Sequence, residues 1–271
     1  MHFLQRLHST VDRSAQLPGV RRLVESSYLK AFVQNRDQNL FHGVFDSFEA
    51  AAARAAIYGN SGYNNEASAS LYLDYMRVDA HDYPAMRWLE RSFREGMRSV
   101  FDVGGSIGIK YYAFAKTLPL PGDVIWTVED VPAVVLKGKA LALERGVAQN
   151  LRFTDHMLAG DGAQVLFASG SLQYLPRLLS VDLADWSMRP RRIIVNITPI
   201  HSTREFFTVN SIGTAFCAYR VQTQSSLVRQ LMSLGYTMKD NWINRGKEMR
   251  LPLDPDLSLD HYRGFCFDLA H

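Results

Sequence analysis

The segment Phe101-Asp-Val-Gly-Gly-Ser-Ile-Gly108 sets three glycines and a serine between an apolar run and a helical pattern. Glycines in that place permit a tight turn and let backbone come close to a ligand, and the helix that follows offers unpaired N–H groups. The spacing is GGxxG, with Ser106 where the dinucleotide pattern GxGxxG wants glycine, and this counts against a nicotinamide cofactor. Glu129 stands 21 residues beyond Gly108, at the end of the next apolar run. A carboxylate there can accept hydrogen bonds from both hydroxyls of a ribose, each charge-assisted contact being worth about 1.5–3 kcal/mol. The same side chain could instead cap the next helix beside Asp130. Asp155, in Arg152-Phe-Thr-Asp-His156, is an acceptor suited to an adenine amino group. Ser169-Gly-Ser-Leu172 supplies small side chains that allow a ligand to approach closely.

These residues can cooperate only if the chain gathers them at one edge. Up to about residue 98 the sequence reads as helical and loop-rich. Alanine-dense 47–57 forms a helix with Ser47 as its cap, 60–65 is a loop, and further helices cover about 66–78 and 84–95. From residue 99 strands alternate with helices. Strands are expected at 100–103, 124–128, 151–153, 164–168, 192–197 and 264–269. Helices are expected at about 107–117, from an Asp130 cap with Pro132 in the first turn to a stop at Gly146, at 175–183 and at 225–234. Such alternation means βαβ units and an α/β fold with a mainly parallel sheet. Ligands on these sheets bind outside the carboxyl ends of the strands. The chain then divides into a helical N-terminal extension and substrate cap, 1–98, and a catalytic domain, 99–271.

The order Asp102–Gly108, Glu129, Asp155 and Ser169–Tyr174 resembles the class I, Rossmann-like methyltransferases that use S-adenosylmethionine (SAM). The resemblance covers about 99–271 and includes an antiparallel last strand. More narrowly, Gly43-Val-Phe-Asp-Ser-Phe-Glu-Ala50, FDVGGSIG, SLQYL and Thr198-Pro199 resemble a bacterial methyltransferase family whose members often accompany polysaccharide biosynthesis genes. The resemblance implies SAM as cofactor. It implies that Gly104, Gly105, Ser106 and Gly108 form the cradle for its methionine end, with Asp102 among the cofactor-binding residues. Glu129 would hold the ribose and Asp155 the adenine, with Ser169, Gly170, Ser171 and Leu172 lining the adenosyl pocket. Plant-type O-methyltransferases carry a His-Asp pair after the fourth strand; here that place reads Ser-Gly-Ser-Leu-Gln-Tyr.

Methyl transfer to a hydroxyl needs alignment and a base within hydrogen-bond reach. By position His201, after the fifth strand, is the first candidate, His156 the second and His81 the third. Gln173 and Tyr174 sit where the transferred methyl should pass. Tyrosines and amides suit a hydroxyl-rich acceptor, which brings in Tyr63 and Tyr72 from the extension and Arg204 and Asn210 from the insert 201–220.

The composition, 47% hydrophobic and 21% charged, is that of a globular protein, and no run nears the roughly 18 apolar residues of a membrane span. The first twenty residues hold no continuous apolar core of a secretory signal, so a cytoplasmic location is expected. A net charge of +3 gives no ground for a nucleic-acid partner. Residues 1–36 alone carry +4, a basic arm with interleaved leucines that could make a weak contact with a membrane surface. Cys217 and Cys266 read as buried thiols, and no CxxC pair suggests a metal. The partners expected are a small-molecule or glycan acceptor, with room for a homo-oligomer. The leading reading is O-methylation of a saccharide or related small molecule. A nucleotide-dependent oxidoreductase and a catalytically silent binding module remain as alternatives.

Overall fold

Apolar runs that end in glycine or acid, spaced by helical segments, are the pattern of strands buried on both faces. The structure, a computed structural model, describes residues 20–65 and 76–270 and builds its main sheet from these runs. Residues 1–19 and the segment 66–75, on which the basic arm and most of the expected 66–78 helix fall, lie outside the described residues. Two compact units are formed: Met1–Gly62 with Pro199–Thr223 and Gly246–His261, and Tyr63–Thr198 with Gln224–Arg245 and Tyr262–His271. This division differs from a single break at 98/99. Residues 76–98 pack with the sheet because the helix Tyr83–Arg94 carries a broad apolar face, and the insert after the fifth expected strand joins the N-terminal segment instead.

The first unit holds α1 (Val20–Val33), β1 (Leu40–Phe45), α2 (Phe48–Tyr58), β7 (Ile200–His201), β8 (Phe206–Ser211) and β9 (Phe216–Thr223). Its strands run β1-β8-β9-β7, antiparallel except for the β7/β9 pair. Ser47 Oγ accepts from Ala50 N–H (3.1 Å) and caps α2 as expected. Ala51 and Ala55, four apart, let that helix lie close on the core of Tyr28, Phe32, Val209 and Phe216. These strands escape a reading by alternation because Thr208, Asn210 and Ser211 are polar and buried.

The second unit holds β2 (Ser99–Val103), β3 (Ile125–Glu129), β4 (Leu151–Thr154), β5 (Val165–Ser169), β6 (Arg192–Thr198), β10 (Tyr236–Asn244) and β11 (Tyr262–Leu269). The order is β10-β11-β6-β5-β2-β3-β4; β11 is antiparallel to both neighbours and the β6-to-β4 portion is parallel. Its helices are α3 (Tyr83–Arg94), α4 (Ile109–Phe114), α5 (Pro132–Glu144), α6 (Leu179–Ala184) and α7 (Gln224–Met232). Helix α3 buries Ala85, Met86, Trp88, Leu89 and Phe93 at helical spacing. Helix α4 is shorter than its sequence pattern, and α6 starts late because Leu172–Tyr174 takes a 3₁₀ turn. Strand β10 was not legible because its half-buried face carries Asp240, Trp242 and Asn244. Both cysteines are buried and free. Among the described residues no helix is long and apolar enough to cross a membrane.

Arg192 fastens this unit at the start of β6. Its guanidinium is buried, forks onto Asp268 (2.7 and 3.0 Å), reaches Glu95 (3.0 Å) and Ser92 Oγ (3.1 Å), and lies over the Trp88 ring. Removing one partner of a buried ionic group leaves the others uncompensated. Arg192→Ala should therefore cost about 3 kcal/mol, read as a lower urea midpoint with unchanged slope; a variant of wild-type stability would show that the cluster contributes nothing net.

Candidate functional site

The carboxyl ends of β2, β3 and β5 meet at the glycine turn. Gly104 N–H donates to Glu129 O (2.8 Å), and Ser171 Oγ donates to Val103 O, so three strand ends are stitched by short contacts. A side chain on Gly104, which has φ +64, would collide with the Ser171 Cβ, and one on Gly105 would run into the Asp102 carboxylate. Both glycines are required by that closeness. Ser106 has φ +55, a conformation L residues enter at a cost.

Asp130 holds Ser106 there. Its Oδ2 accepts from Ser106 N–H and its Oδ1 from Val131 N–H, both at 2.8 Å. The expected Asp130 cap is thus corrected: Val131 occupies the cap position of α5, and the Asp130 side chain is spent on the turn. The α5 N-terminus is met by Asn64 Oδ1, which accepts from Ala133 N–H (3.1 Å).

The site is dense in carboxylates. Asp102 is fully buried, with Oδ2 accepting from Trp126 Nε1–H (3.0 Å) and Oδ1 without a hydrogen-bond partner among the described residues. Burial pushes its carboxyl up to about 7 against the help of the Trp126 N–H. Burial, and then the neighbouring Asp130, raise Glu129 to about 7 as well. Burial lifts Asp130 to about 6 although two backbone N–H groups favour its charged form. Such shifts mark groups whose desolvation outweighs the hydrogen bonds that favour their charged forms.

Asp102, Gly104, Gly105, Ser106, Gly108, Glu129, Ser169, Gly170, Ser171 and Leu172 come together at this edge. Asp155 follows β4 beside them in sheet order, exposed and 3.4 Å from the exposed His156 ring. Gln173 is buried, donating Nε2–H to Gly170 O (2.8 Å), with Oε1 lacking a partner among the described residues. Tyr174 packs edge-on to Tyr63, centroids 5.0 Å apart, so one expected acceptor-binding ring does meet one expected methyl-path residue. Tyr72 lies outside the described residues.

His201, Arg204 and Asn210 belong to the other compact unit. His201 Nδ1 accepts from the N–H groups of Thr203 (3.2 Å) and Arg204 (2.9 Å), which leaves the ring proton on Nε2, 3.1 Å from Asp256 O. Both nitrogens of the first-choice base are thereby engaged with local backbone groups. Asn210 is buried with Nδ2–H on Leu40 O (3.1 Å), tying β8 to β1. Arg204 is exposed.

Sequence reasoning missed a polar cluster at the end of β6. Asn196 Oδ1 accepts from Trp242 Nε1–H and from Asn244 Nδ2–H, both at 2.9 Å, and Asn244 Oδ1 accepts from Ile197 N–H (3.1 Å). Asn196 lies opposite Ser169 across the parallel pair. The only signal was an asparagine inside an otherwise apolar strand.

No family model matches the chain, and no curated relative matches it. Solved structures do. The 1,6-didemethyltoxoflavin-N1-methyltransferase of Burkholderia thailandensis, with 1,6-didemethyltoxoflavin and S-adenosylhomocysteine bound, is 19% identical, covering 82% of this chain and 89% of its own at a TM-score of 0.51. The fold is the Rossmann-like methyltransferase fold. The magnesium protoporphyrin IX methyltransferase of Synechocystis, with SAM bound, is 13% identical over 91% of this chain and 97% of its own, at a TM-score of 0.49.

The raised carboxyls fix a pH dependence. Between the ordinary carboxylate range and pH 7 the folded chain holds protons at Asp102 and Glu129 that the unfolded chain has released, so stability falls as pH rises through that window. The ligand-free protein should have a higher urea midpoint at pH 5 than at pH 8, and Asp102→Asn should lose about half of that difference. A midpoint that climbs from pH 5 to pH 8, equally in both proteins, would contradict the burial of these charges.

Proposed function

We propose that this chain is a SAM-dependent methyltransferase that acts on a hydroxyl of a saccharide or related small molecule. The observation that carries the cofactor is the glycine turn, with no room for a Cβ at Gly104 or Gly105, set among carboxylates that burial raises above their ordinary range. SAM offers what this edge lacks: an ammonium and a sulfonium for the buried acids, and two ribose hydroxyls for Glu129. Gly104, Gly105 and Ser106 would carry the amino-acid end, Glu129 the ribose, Asp155 the adenine, and Ser169 to Leu172 the wall of the adenosyl pocket. When bound, SAM supplies a methyl carbon activated by a positively charged sulfur.

The chain's own residues then orient and enclose the acceptor. Gln173 Oε1, buried and without a partner among the described residues, would accept a hydrogen bond from an acceptor hydroxyl. Its amide is held by Gly170 O and cannot swing away without breaking that bond. The Tyr63–Tyr174 pair offers ring faces and edges against which a sugar ring can stack. The polysaccharide setting rests on the family resemblance of the sequence motifs alone.

Calorimetric titration separates this reading from an oxidoreductase. S-adenosylhomocysteine should bind at micromolar levels and NAD(H) should not, and Glu129→Ala should weaken the former at least tenfold, about 1.4 kcal/mol. Binding of NAD(H) without S-adenosylhomocysteine would overturn the proposal.

A further inference from the structure

With His201 engaged in its own unit, the proton of a hydroxyl acceptor needs another destination. Within the second unit the 3₁₀ turn Ala80–Asp82 carries His81, whose side chain is 11% exposed. Its Nε2 lies 3.8 Å from Asp79 Oδ2 and 4.0 Å from Asp82 Oδ1, so two carboxylates stand beside the ring.

This turn is fixed from two sides of the glycine edge. Asp82 is fully buried, and both of its oxygens accept from Lys110 Nζ, at 2.8 and 2.7 Å. Lys110 sits in the first turn of α4, two residues beyond Gly108. The His81 carbonyl accepts from Asn196 Nδ2–H (3.2 Å) and from Asn244 Nδ2–H (3.3 Å). Asn196 in turn lies 3.4 Å from Ser169 Oγ at the end of β5. His81 is therefore tethered between the helix that leaves the glycine turn and the strand end beside the expected adenosyl wall.

The tether is built at a cost. The β6/β11 register slips by one residue across Asn196–Ile197, and Ile197, a β-branched residue, has φ +53. Bulges and left-handed β-branched residues persist where the surroundings over-determine them, and they gather at sites of function. Here the bulge turns Asn196 toward Trp242, Asn244 and the His81 carbonyl.

We propose that His81, oriented by this network and paired with Asp79 and Asp82, is the general base of the transfer. The proposal rests on the methyltransferase reading. In the step the acceptor O–H proton passes to the His81 ring. The freed oxygen lone pair forms the bond to the methyl carbon, and the electrons of the breaking carbon–sulfur bond stay on sulfur, leaving a neutral thioether. The ring then returns its proton to water. Asp79, His81 and Asp82 could also be read as a metal trio, since their ligand atoms lie within 4.8 Å of one another. Lys110 already neutralises both oxygens of Asp82, which disfavours a divalent ion there.

The test uses the full chain, labelled SAM and a panel of nucleotide sugars, free monosaccharides and phenols. His81→Gln should lower transfer at least 100-fold, within the range of general-base contributions, while S-adenosylhomocysteine affinity and thermal midpoint stay within twofold and 2 °C of wild type. His81→Asn serves if the glutamine variant misfolds. The wild-type acidic limb of the pH–rate profile should vanish in the variant; among the described residues the charged groups beside the ring are Asp79 and Asp82, with Arg77 on Asp79 and Lys110 on Asp82, while Asn196 from β6 and Asn244 from β10 meet the His81 carbonyl. Full rate in His81→Gln would overturn the assignment, as would transfer abolished by EDTA and restored by magnesium. Wild-type protein that binds S-adenosylhomocysteine but methylates no acceptor would overturn it too, whereas failure to bind S-adenosylhomocysteine would sink the methyltransferase reading itself.

Discussion

Carboxylates crowded and buried at one end of a parallel sheet set the condition that the rest of the site answers. Asp102 is buried behind the glycine turn, Glu129 ends the neighbouring strand, and Asp130 follows it. Each is held above its ordinary range by burial. A fold keeps such an arrangement at the expense of stability, and active sites are where that expense recurs. The turn's shape follows from the same crowding. Gly105 must lack a side chain because Asp102 stands behind it, and Ser106 keeps its left-handed backbone because Asp130 grips its N–H.

The opposite half of the sheet supplies support of a different kind. Arg192 clamps the start of β6 with charge, whereas the end of β6 is held by amides and an indole around a bulge. The strand is thus rigid at its base and specifically shaped at its ligand edge. The amides carry no charge of their own, so they fix the His81 backbone without adding to the electrostatic burden.

Much of this was legible in the sequence. The parallel strands, the glycine turn and Glu129 follow from apolar runs ending in glycine or acid, and buried parallel strands have little choice but to look that way, whereas the antiparallel direction of the last strand came from the family resemblance. What escaped was polar and buried. Strands β8 and β10 hide their period because Thr208, Asn210, Asp240 and Asn244 occupy inward positions, and Asn196 looks like noise in an apolar strand. Asp130 reads as a helix cap from its place before Pro132, and only the left-handed Ser106 backbone beside it explains its other use. His201 earned its place by position after a strand, yet the chain there leaves the sheet for another unit, where local N–H groups take up the ring.

The central claim is that the crowded acids exist to receive a ligand that restores their charge. Titrating S-adenosylhomocysteine near pH 7 in buffers of different ionisation enthalpy counts the protons exchanged on binding. Ionisation of Glu129 and its neighbours against the ammonium and ribose predicts a net release of protons, smaller in Glu129→Gln. Binding with no proton exchange, or with uptake, would contradict the account.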